Sequence, residues 1–526
     1  MNITKFWSAP GRFSFAQVAV SGILFSLSLV FVNHVISWIA LLPLFLILSK
    51  AVNIRQAVQI GLLFGCASAG ILNYWMVPAI QYYAQGSLFL AVACWLLAVL
   101  LIALCYALQF VLFVKLSFRS DGWPALVLSA LLMAVLWVGG EWLRAQAFSG
   151  MPWLSYSFGV SLSSQLYLVQ PAAIGSVYIL SFSLVLFNYS LSHAVHSRSW
   201  KWALAPLLIV LVHAVSGLLM YGIISDKLSG DGRKHINTSL VLASQSPEAV
   251  WDERNGSALV QNLLSLNRQA VTSSPELVLW SETVVPWTYS PDDDFLREIS
   301  RGVAGRGAHY LMGMSSPVSH NSSMVYNSAY LFKPDGQVVG RYDKTALLTL
   351  VERPLFEESS GIILPFLAGG GLAVRAGSVE QLMQTPWGKA GLLLCSESAV
   401  PTLTNSYGKL GATFLINLGN DGWFSDYFIT RQHFYNCRLR AVETRKDIVI
   451  NNNRGVSGVI HGTGDIGARF QSDEASIQQV SVYPNSVPAN DFHLFLYALF
   501  LLGAALAIGK CFERAGAKSE RRPNVS

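Results

Sequence analysis

The chain has 526 residues, of which 13% are charged and 52% hydrophobic, with a formal net charge of +6. A single soluble globule has about a quarter of its residues charged, so this composition excludes one. The positive balance does not indicate nucleic acid: no basic patch interleaved with stacking aromatics occurs in the polar stretch. Much of the excess sits instead beside apolar segments and in the tail Lys510, Arg514, Lys518, Arg521, Arg522.

Apolar residues fill 16–223 and return at 487–509. A spanning helix needs about 20 mostly apolar residues. Eight candidate spans follow in order: 16–33, 35–50, 56–79, 87–113, 124–144, 166–190, 202–223 and 487–509. The first apolar run is followed at once by others, which predicts an anchor rather than a cleaved signal. Lys5 and Arg12, Lys50 and Arg55, Lys115 and Arg119, Arg198 and Lys201, and the tail occupy alternate loops. The opposite loops, around His34 and at 80–86 and 146–165, carry no Lys or Arg. That asymmetry predicts both termini in the cytoplasm and residues 224–486 on the outer, periplasmic side. Glu141 and Arg144 interrupt the fifth span near its outer end, in GGEWLRAQAFSGMPW. They read either as a helix-end pair at i,i+3 or as groups lining a path for a lipid headgroup or acyl chain.

From residue 236 the pattern alternates between strands and helices. Strands are predicted at 237–245, 277–280, 309–314, 325–333, 336–342, 390–394, 412–417 and 447–451, with a turn at Pro334-Asp335-Gly336. Helices are predicted at 257–274, 292–305, 399–409 and 427–445. This order implies a layered α/β domain with covered sheets. It contains no phosphate-binding GxxxxGK[ST] and no dinucleotide fingerprint. The six cysteines form no disulfide framework: Cys66, Cys94 and Cys105 lie in apolar segments and Cys511 in the tail. His433 and Cys437 share one face of a predicted helix, where packing or hydrogen bonding is expected and no metal-ligand cluster.

Three residues follow strand ends: Glu282 after PELVLW, Lys344 after GQVVGRY and Cys395 after AGLLL. A sheet fixes such positions while the loops leave them accessible. Taken singly, each also reads as structure: a helix cap, a solvated strand end, a small buried residue. Together they suit acyl chemistry, because a thiol with a free pKa near 8.5 needs a base, and a lysine can stabilise charge on a carbonyl oxygen.

The same segments carry a resemblance: WSETVVP, YNSAYLFKPDGQVVGRYDK, WGKAGLLLCSE, NLGNDGWFSD and QHFYNCRLRAVETRKDIVINNNRGVSGVI. They are similar to the nitrilase superfamily, which carries a Glu-Lys-Cys triad on an α-β-β-α sandwich. With eight spans and EWLRAQAFSGMPWLSYSFG at 141–159, the chain resembles the membrane-fused apolipoprotein N-acyltransferases within it. The resemblance covers nearly the whole chain. It implies a bundle at 1–223, a nitrilase-like catalytic domain at 224–486, a last span at 487–509 and a cytoplasmic tail at 510–526. It implies Cys395 as nucleophile, Glu282 as general base and Lys344 as oxyanion-stabilising cation. Glu352 and Glu397 would support the site, and Asn420, Asp421 and Trp423 would border the substrate, as would Glu141 and Arg144.

It further implies an enzyme of the bacterial inner membrane, acting as a monomer without metal or diffusible cofactor. Its partners would be membrane lipids, a glycerophospholipid acyl donor and a diacylated apolipoprotein acceptor. The family pattern VPFGEYVP is replaced after Lys344 by LLTLVERP, tyrosine after the nucleophile by Ser396, and WPE by WSE. A different amine acceptor, water as acceptor, or a binding scaffold with an idle triad stay open. The apolar stretch 354–367 reads as a mobile substrate loop or a plain lid.

Overall fold

The computed structural model describes residues 12–519 apart from 51–52, 84–86, 119–121, 198–199, 231–233, 247–255, 305, 320–323, 350, 354–372, 379–380, 423–427 and 472–473. The stretch 354–367 and Trp423 therefore lie outside the described residues. The chain divides into two units, Met1–Leu219 with Phe492–Ser526, and Met220–Asp491.

In the first unit, helices run over Arg12–Val30 (α1), His34–Ser37 (α2), Leu42–Leu48 (α3), Ile54–Leu72 (α4), Met76–Tyr83 (α5), Leu88–Leu116 (α6), Trp123–Ala147 (α7) and Ala172–Ser197 (α8). Leu204–Leu228 (α9) crosses the boundary between the units, and the last helix is His493–Ser519. Among the described residues, six helices are long and apolar enough to cross a membrane, and Phe15–Val30 and His34–Leu48 are shorter apolar segments.

The second expected span, 35–50, is thus two short helices rather than one. Asn188 of α8 satisfies the break: its Nδ2 donates to Ser37 O at 3.1 Å, and its Oδ1 accepts from Leu41 N at 3.0 Å. Broken backbone at membrane depth is tolerated where protein groups satisfy it. The sixth expected span, 166–190, is shifted: α8 begins at Ala172 and is kinked at Gly175 and Ser176, the latter at φ +55°. A Cβ on Gly175 would lie 2.8 Å from Phe495, so the last helix packs into the kink. Gly61 and Gly65 let α4 approach α6 closely, since a Cβ on either would lie 2.4 Å from Ala107 Cα or Ala103 Cα. Small residues four apart permit such contact between membrane helices.

The second unit holds two sheets. One has strands Ser476–Val482, Ile236–Leu242, Leu277–Trp280, His309–Pro317, Met324–Phe332 and Val338–Asp343 in that order, with Ala373–Val374 also beside Met324–Phe332. The other runs Ile466–Phe470, Ser457–Ile460, Ile448–Asn453, Phe414–Asn420, Gly388–Leu394, Met383–Thr385. Strand alternation distributes the side chains between layers. Leu240, Leu279 and Leu311 of the first sheet meet Leu392, Leu394, Ile416 and Leu418 of the second between the sheets. Their neighbours Val241, Val278 and Tyr310 face Leu263, Leu266 and Ile299 of helices Gly256–Ala270 and Asp294–Ala304. Leu393, Leu415 and Ile450 face Leu403, Tyr407, Phe434 and Cys437 of helices Pro401–Lys409 and Ile429–Thr444. The result is α-β-β-α: the layered α/β domain that the strand and helix order predicts, in the arrangement that the resemblance implies. Each fully buried leucine contributes roughly 1.5–3 kcal/mol, so this interior fixes the strand ends firmly.

Candidate active site

The core of the second unit ends abruptly in polar residues. Glu282 is two residues beyond Trp280, Lys344 one beyond Asp343 and Cys395 one beyond Leu394. All three are buried, Lys344 at 1% exposure. Lys344 Nζ lies 3.4 Å from Glu282 Oε1 and 2.9 Å from Glu352 Oε1. Cys395 interacts electrostatically with Glu282, Lys344, Asp421 and Glu352. The structure therefore gathers the expected triad and the accessory Glu352 into one charged cluster.

Backbone geometry marks the same place. Cys395 has φ +52° and Thr283, beside Glu282, has φ +47°. A non-glycine residue held there costs about 1–3 kcal/mol, and such strain concentrates at functional sites. Close approach to Glu282 is secured by Gly313, where a Cβ would meet Glu282 Cα at 2.7 Å.

Burial raises the Glu282 pKa, with Lys344 opposing and Glu352 adding to the rise. Burial also pushes the Cys395 thiol well up, Glu282 pushes further, and Lys344 opposes both. Burial disfavours the Lys344 ammonium, but Glu282 and Glu352 overcome this and hold it charged. A protonated thiol, a basic carboxylate and a fixed cation thus share one desolvated site. Such a set can attack a carbonyl and stabilise the resulting oxyanion.

Glu397 joins strand to loop. Its Oε1 accepts from Thr345 N at 2.8 Å, Thr345 Oγ1 at 3.0 Å and Ala346 N at 2.9 Å. Its Oε2 accepts from Tyr342 OH at 2.9 Å and Leu394 N at 2.8 Å. The residues flanking Lys344 are thereby pinned to the residue before Cys395. Asn420 donates to Thr283 Oγ1 at 3.4 Å and accepts from Asn453 Nδ2 at 3.0 Å. Asp421 is fully buried.

Two residues escape a strand-end reading. Asn327 donates to Glu282 Oε1 at 2.8 Å and to Glu352 Oε1 at 3.1 Å. A polar residue inside YNSAYLF is the available signal. His433 hydrogen-bonds within the domain, through Nδ1 to Asp421 Oδ1 at 2.7 Å. The expectation that no ligating cluster surrounds it is corrected, because Cys395, Asp421 and His433 offer atoms within 4.8 Å of one another. Such a set could hold a metal ion, but here the His433 and Asp421 atoms are hydrogen-bonded to each other. Cys437 is a fully buried core residue.

Glu141 and Arg144 belong to the helical unit and are buried there at 0% and 4% exposure. Glu141 Oε1 accepts from Trp137 Nε1 at 2.8 Å and Phe158 N at 2.9 Å. The Arg144 guanidinium lies 4.9 Å from the Tyr106 ring centroid.

Sandwich and strand-end cluster together define the carbon-nitrogen hydrolase class, and residues 242–487 match the family described as Carbon-nitrogen hydrolase. Residues 21–190 match the Apolipoprotein N-acyltransferase N-terminal domain. The apolipoprotein N-acyltransferase of Geobacter metallireducens is 28% identical over 479 residues, covering 89% of this chain and 88% of that one. That of Pseudomonas syringae pv. tomato is 26% identical over 449 residues, covering 84% and 85%. The solved structure of Saccharomyces cerevisiae Nit3, a member of branch 10 of the nitrilase superfamily, aligns at a TM-score of 0.35 and 17% identity, over 50% of this chain and 94% of that one. With both halves matched in order, the chain belongs to the apolipoprotein N-acyltransferase family, a membrane-fused family of enzymes within the carbon-nitrogen hydrolase superfamily.

Proposed function

We propose that the enzyme transfers an acyl chain from a glycerophospholipid, through a thioester on Cys395, to the α-amine of an S-diacylglyceryl cysteine at an apolipoprotein N-terminus. The observation that carries this reading is the convergence of Glu282 and Lys344 on a buried Cys395. Glu282 takes the thiol proton, sulfur attacks the ester carbonyl, and Lys344 stabilises the tetrahedral oxyanion. Collapse breaks the ester C–O bond. Glu282 returns its proton to the departing lysophospholipid oxygen, leaving the thioester. The amine then attacks, an amide forms, and the sulfur is released.

Both substrates carry acyl chains, and exposing each CH₂ to water costs about 0.8 kcal/mol. Fusion to membrane helices removes most of that cost. The Lys and Arg distribution supports a bacterial inner-membrane location with both termini cytoplasmic and the catalytic unit outside. Asn420, Asp421 and Trp423 are assigned to the substrate border. Glu141 and Arg144 are assigned to a lipid path in the bundle. In support, Arg144 lines a small cavity with Ser68, Tyr106 and Tyr156.

The test supplies phospholipid with a radiolabelled acyl chain together with a diacylated lipopeptide. Label should appear on the lipopeptide amine, and the Cys395→Ala variant should give neither product nor covalent adduct. Free fatty acid without acylated peptide would overturn the transferase reading in favour of hydrolysis. A wild type that binds lipid yet never forms the thioester would indicate a scaffold.

A further inference from the structure

His433 lies on the helix Ile429–Thr444, which packs Phe434, Cys437 and Ala441 against the second sheet. Its ring lies instead beside Cys395, with Asp421 Oδ1 2.7 Å from Nδ1. Asp421 is itself fixed: its N–H donates to Asn453 O at 2.9 Å, and its Oδ2 accepts from Asn452 Nδ2 at 3.4 Å. A carboxylate accepting from Nδ1–H makes Nε2 the basic nitrogen of the ring.

The proton count of the proposed reaction gives this pair work. In the first half, the proton that Glu282 removes from Cys395 is returned to the leaving glycerol oxygen, so Glu282 ends as a carboxylate. In the second half the acceptor arrives largely as an ammonium, because an α-amine has a pKa of about 7.7–8.0. It must lose one proton before attack and a second after it. Departing Cys395 sulfur consumes one of these, carried by Glu282. The other needs a second base, and Lys344 cannot serve because it is already an ammonium.

Resting on the thioester-aminolysis reading above, we propose that His433, oriented by Asp421, is the base that takes the first proton from the acceptor ammonium. The amine nitrogen then forms its bond to the thioester carbonyl carbon and the C–S bond breaks. Glu282 moves the second proton to sulfur, and the imidazolium releases its proton to solvent. Water as acceptor brings no surplus proton, so hydrolysis by the same triad would not need this residue.

The charges around the ring agree with such a role. Burial disfavours the imidazolium, but Asp421 and Glu282 favour it against Lys344, and the pKa is raised. Among the described residues, these groups and the Cys395 thiol are titratable neighbours of the ring.

The experiment loads full-length enzyme with radiolabelled acyl phospholipid, measures thioester formation, then follows a single turnover with diacylated lipopeptide. His433→Asn keeps a donor near Nδ1 for Asp421 but removes the base. At pH 7 it should slow aminolysis by about 5- to 10-fold more than it slows acylation, because roughly a tenth to a sixth of an α-amine with a pKa of about 7.7–8.0 is already neutral there. The deficit should shrink above about pH 8, where the amine loses its proton unaided. Asp421→Asn should give the same pattern with a smaller loss, and added imidazole should restore aminolysis to His433→Ala. Equal slowing of both half-reactions, or a deficit independent of pH, would assign His433 a structural role and overturn the inference. A wild type that forms no thioester would sink the parent reading and this one with it.

Discussion

The Lys344 ammonium is held more closely by Glu352, at 2.9 Å, than by Glu282, at 3.4 Å. The accessory carboxylate thus shares the cation with Glu282, which in the proposed mechanism leaves Glu282 able to act as a base. Glu352 is in turn fixed by Leu348 N, which donates to its Oε2 at 2.8 Å. Replacement by Gln removes the charge while keeping the shape. In Glu352→Gln, Lys344 should turn to Glu282 and weaken it as a base. A charge-assisted hydrogen bond is worth about 1.5–3 kcal/mol, so thioester formation should fall roughly 10- to 100-fold. Single-turnover labelling of Cys395 measures this, and an unchanged rate would remove Glu352 from the mechanism.

Acylation should be lost on the acid side sooner than an ordinary carboxylate would allow. Burial raises the Glu282 pKa above the usual value of about 4.3. The basic form therefore disappears as pH falls through that raised value, and activity rises with pH across the same window. In Glu282→Gln only the thiol's own ionisation remains, and burial holds that well above its usual range. The variant should lose about 10²- to 10⁴-fold at pH 7 and recover only toward alkaline pH. A pH–rate profile of Cys395 acylation decides it. The same acid limb in both proteins would mean that Glu282 is not the base.

Asn327 offers a sharper probe of the same limb, because its amide bonds both Glu282 and Glu352. Asn327→Asp replaces that donor with a third carboxylate and disfavours ionisation of the other two. The acid limb should move to higher pH, while Asn327→Leu should lower the rate without adding charge. A limb unmoved by the aspartate would show that Asn327 does not sense the ionisation of Glu282.

Glu397 is predicted to matter through stability as well as rate. Glu397→Ala leaves the N–H groups of Thr345, Ala346 and Leu394 without their acceptor. Unsatisfied buried donors cost about 1–3 kcal/mol each, so a loss of about 3 kcal/mol or more is expected. For a unit of this size that lowers Tm by roughly 6–12 °C. Tyr342→Phe removes one partner only and should cost about 1 kcal/mol. Equal, small shifts in thermal melts of the two variants would show that Glu397 does not clamp the Lys344 loop.

Much of this site is visible in sequence because strands place functional groups at their ends. The strand ending at Trp280 and the one ending at Leu394 are short apolar runs whose limits are sharp, so Glu282 and Cys395 stand out. Asn327 and His433 do not, because their roles depend on register and helix rotation. Asn327 meets Glu282 across the sheet, 45 residues away in sequence. His433 turns toward Asp421 while Cys437, one turn on, is core. Among the described residues, five strands go beyond those that the sequence predicts, among them Ser476–Val482, which pairs antiparallel with Ile236–Leu242. Its sequence SIQQVSV is half polar because it is an edge strand, and its pairing crosses more than 230 residues, which local periodicity cannot register. The break at 37–42 was likewise hidden, because the residue satisfying it, Asn188, lies 147 residues from Leu41.

The helical unit yields a prediction that isolates close packing from propensity. Gly65 and Gly70 lie on the same helix, Ile54–Leu72, and alanine should improve helix propensity at both by up to about 1 kcal/mol. Their surroundings differ. A Cβ at Gly65 would lie 2.4 Å from Ala103 Cα, a backbone atom that cannot yield, whereas at Gly70 the nearest atom is Trp95 Cζ2 at 3.7 Å, an ordinary contact. Gly65→Ala should therefore force the helix away from Leu88–Leu116 and cost roughly 1–3 kcal/mol despite the better propensity. Gly70→Ala should be neutral or slightly stabilising. Thermal melts in detergent, read by size-exclusion chromatography after heating, compare the two directly. If both behave alike, propensity dominates and close helix approach is not what holds this pair together. If they diverge as expected, van der Waals packing at small residues stabilises the bundle, because lipid offers no hydrophobic drive to bring two apolar helices together.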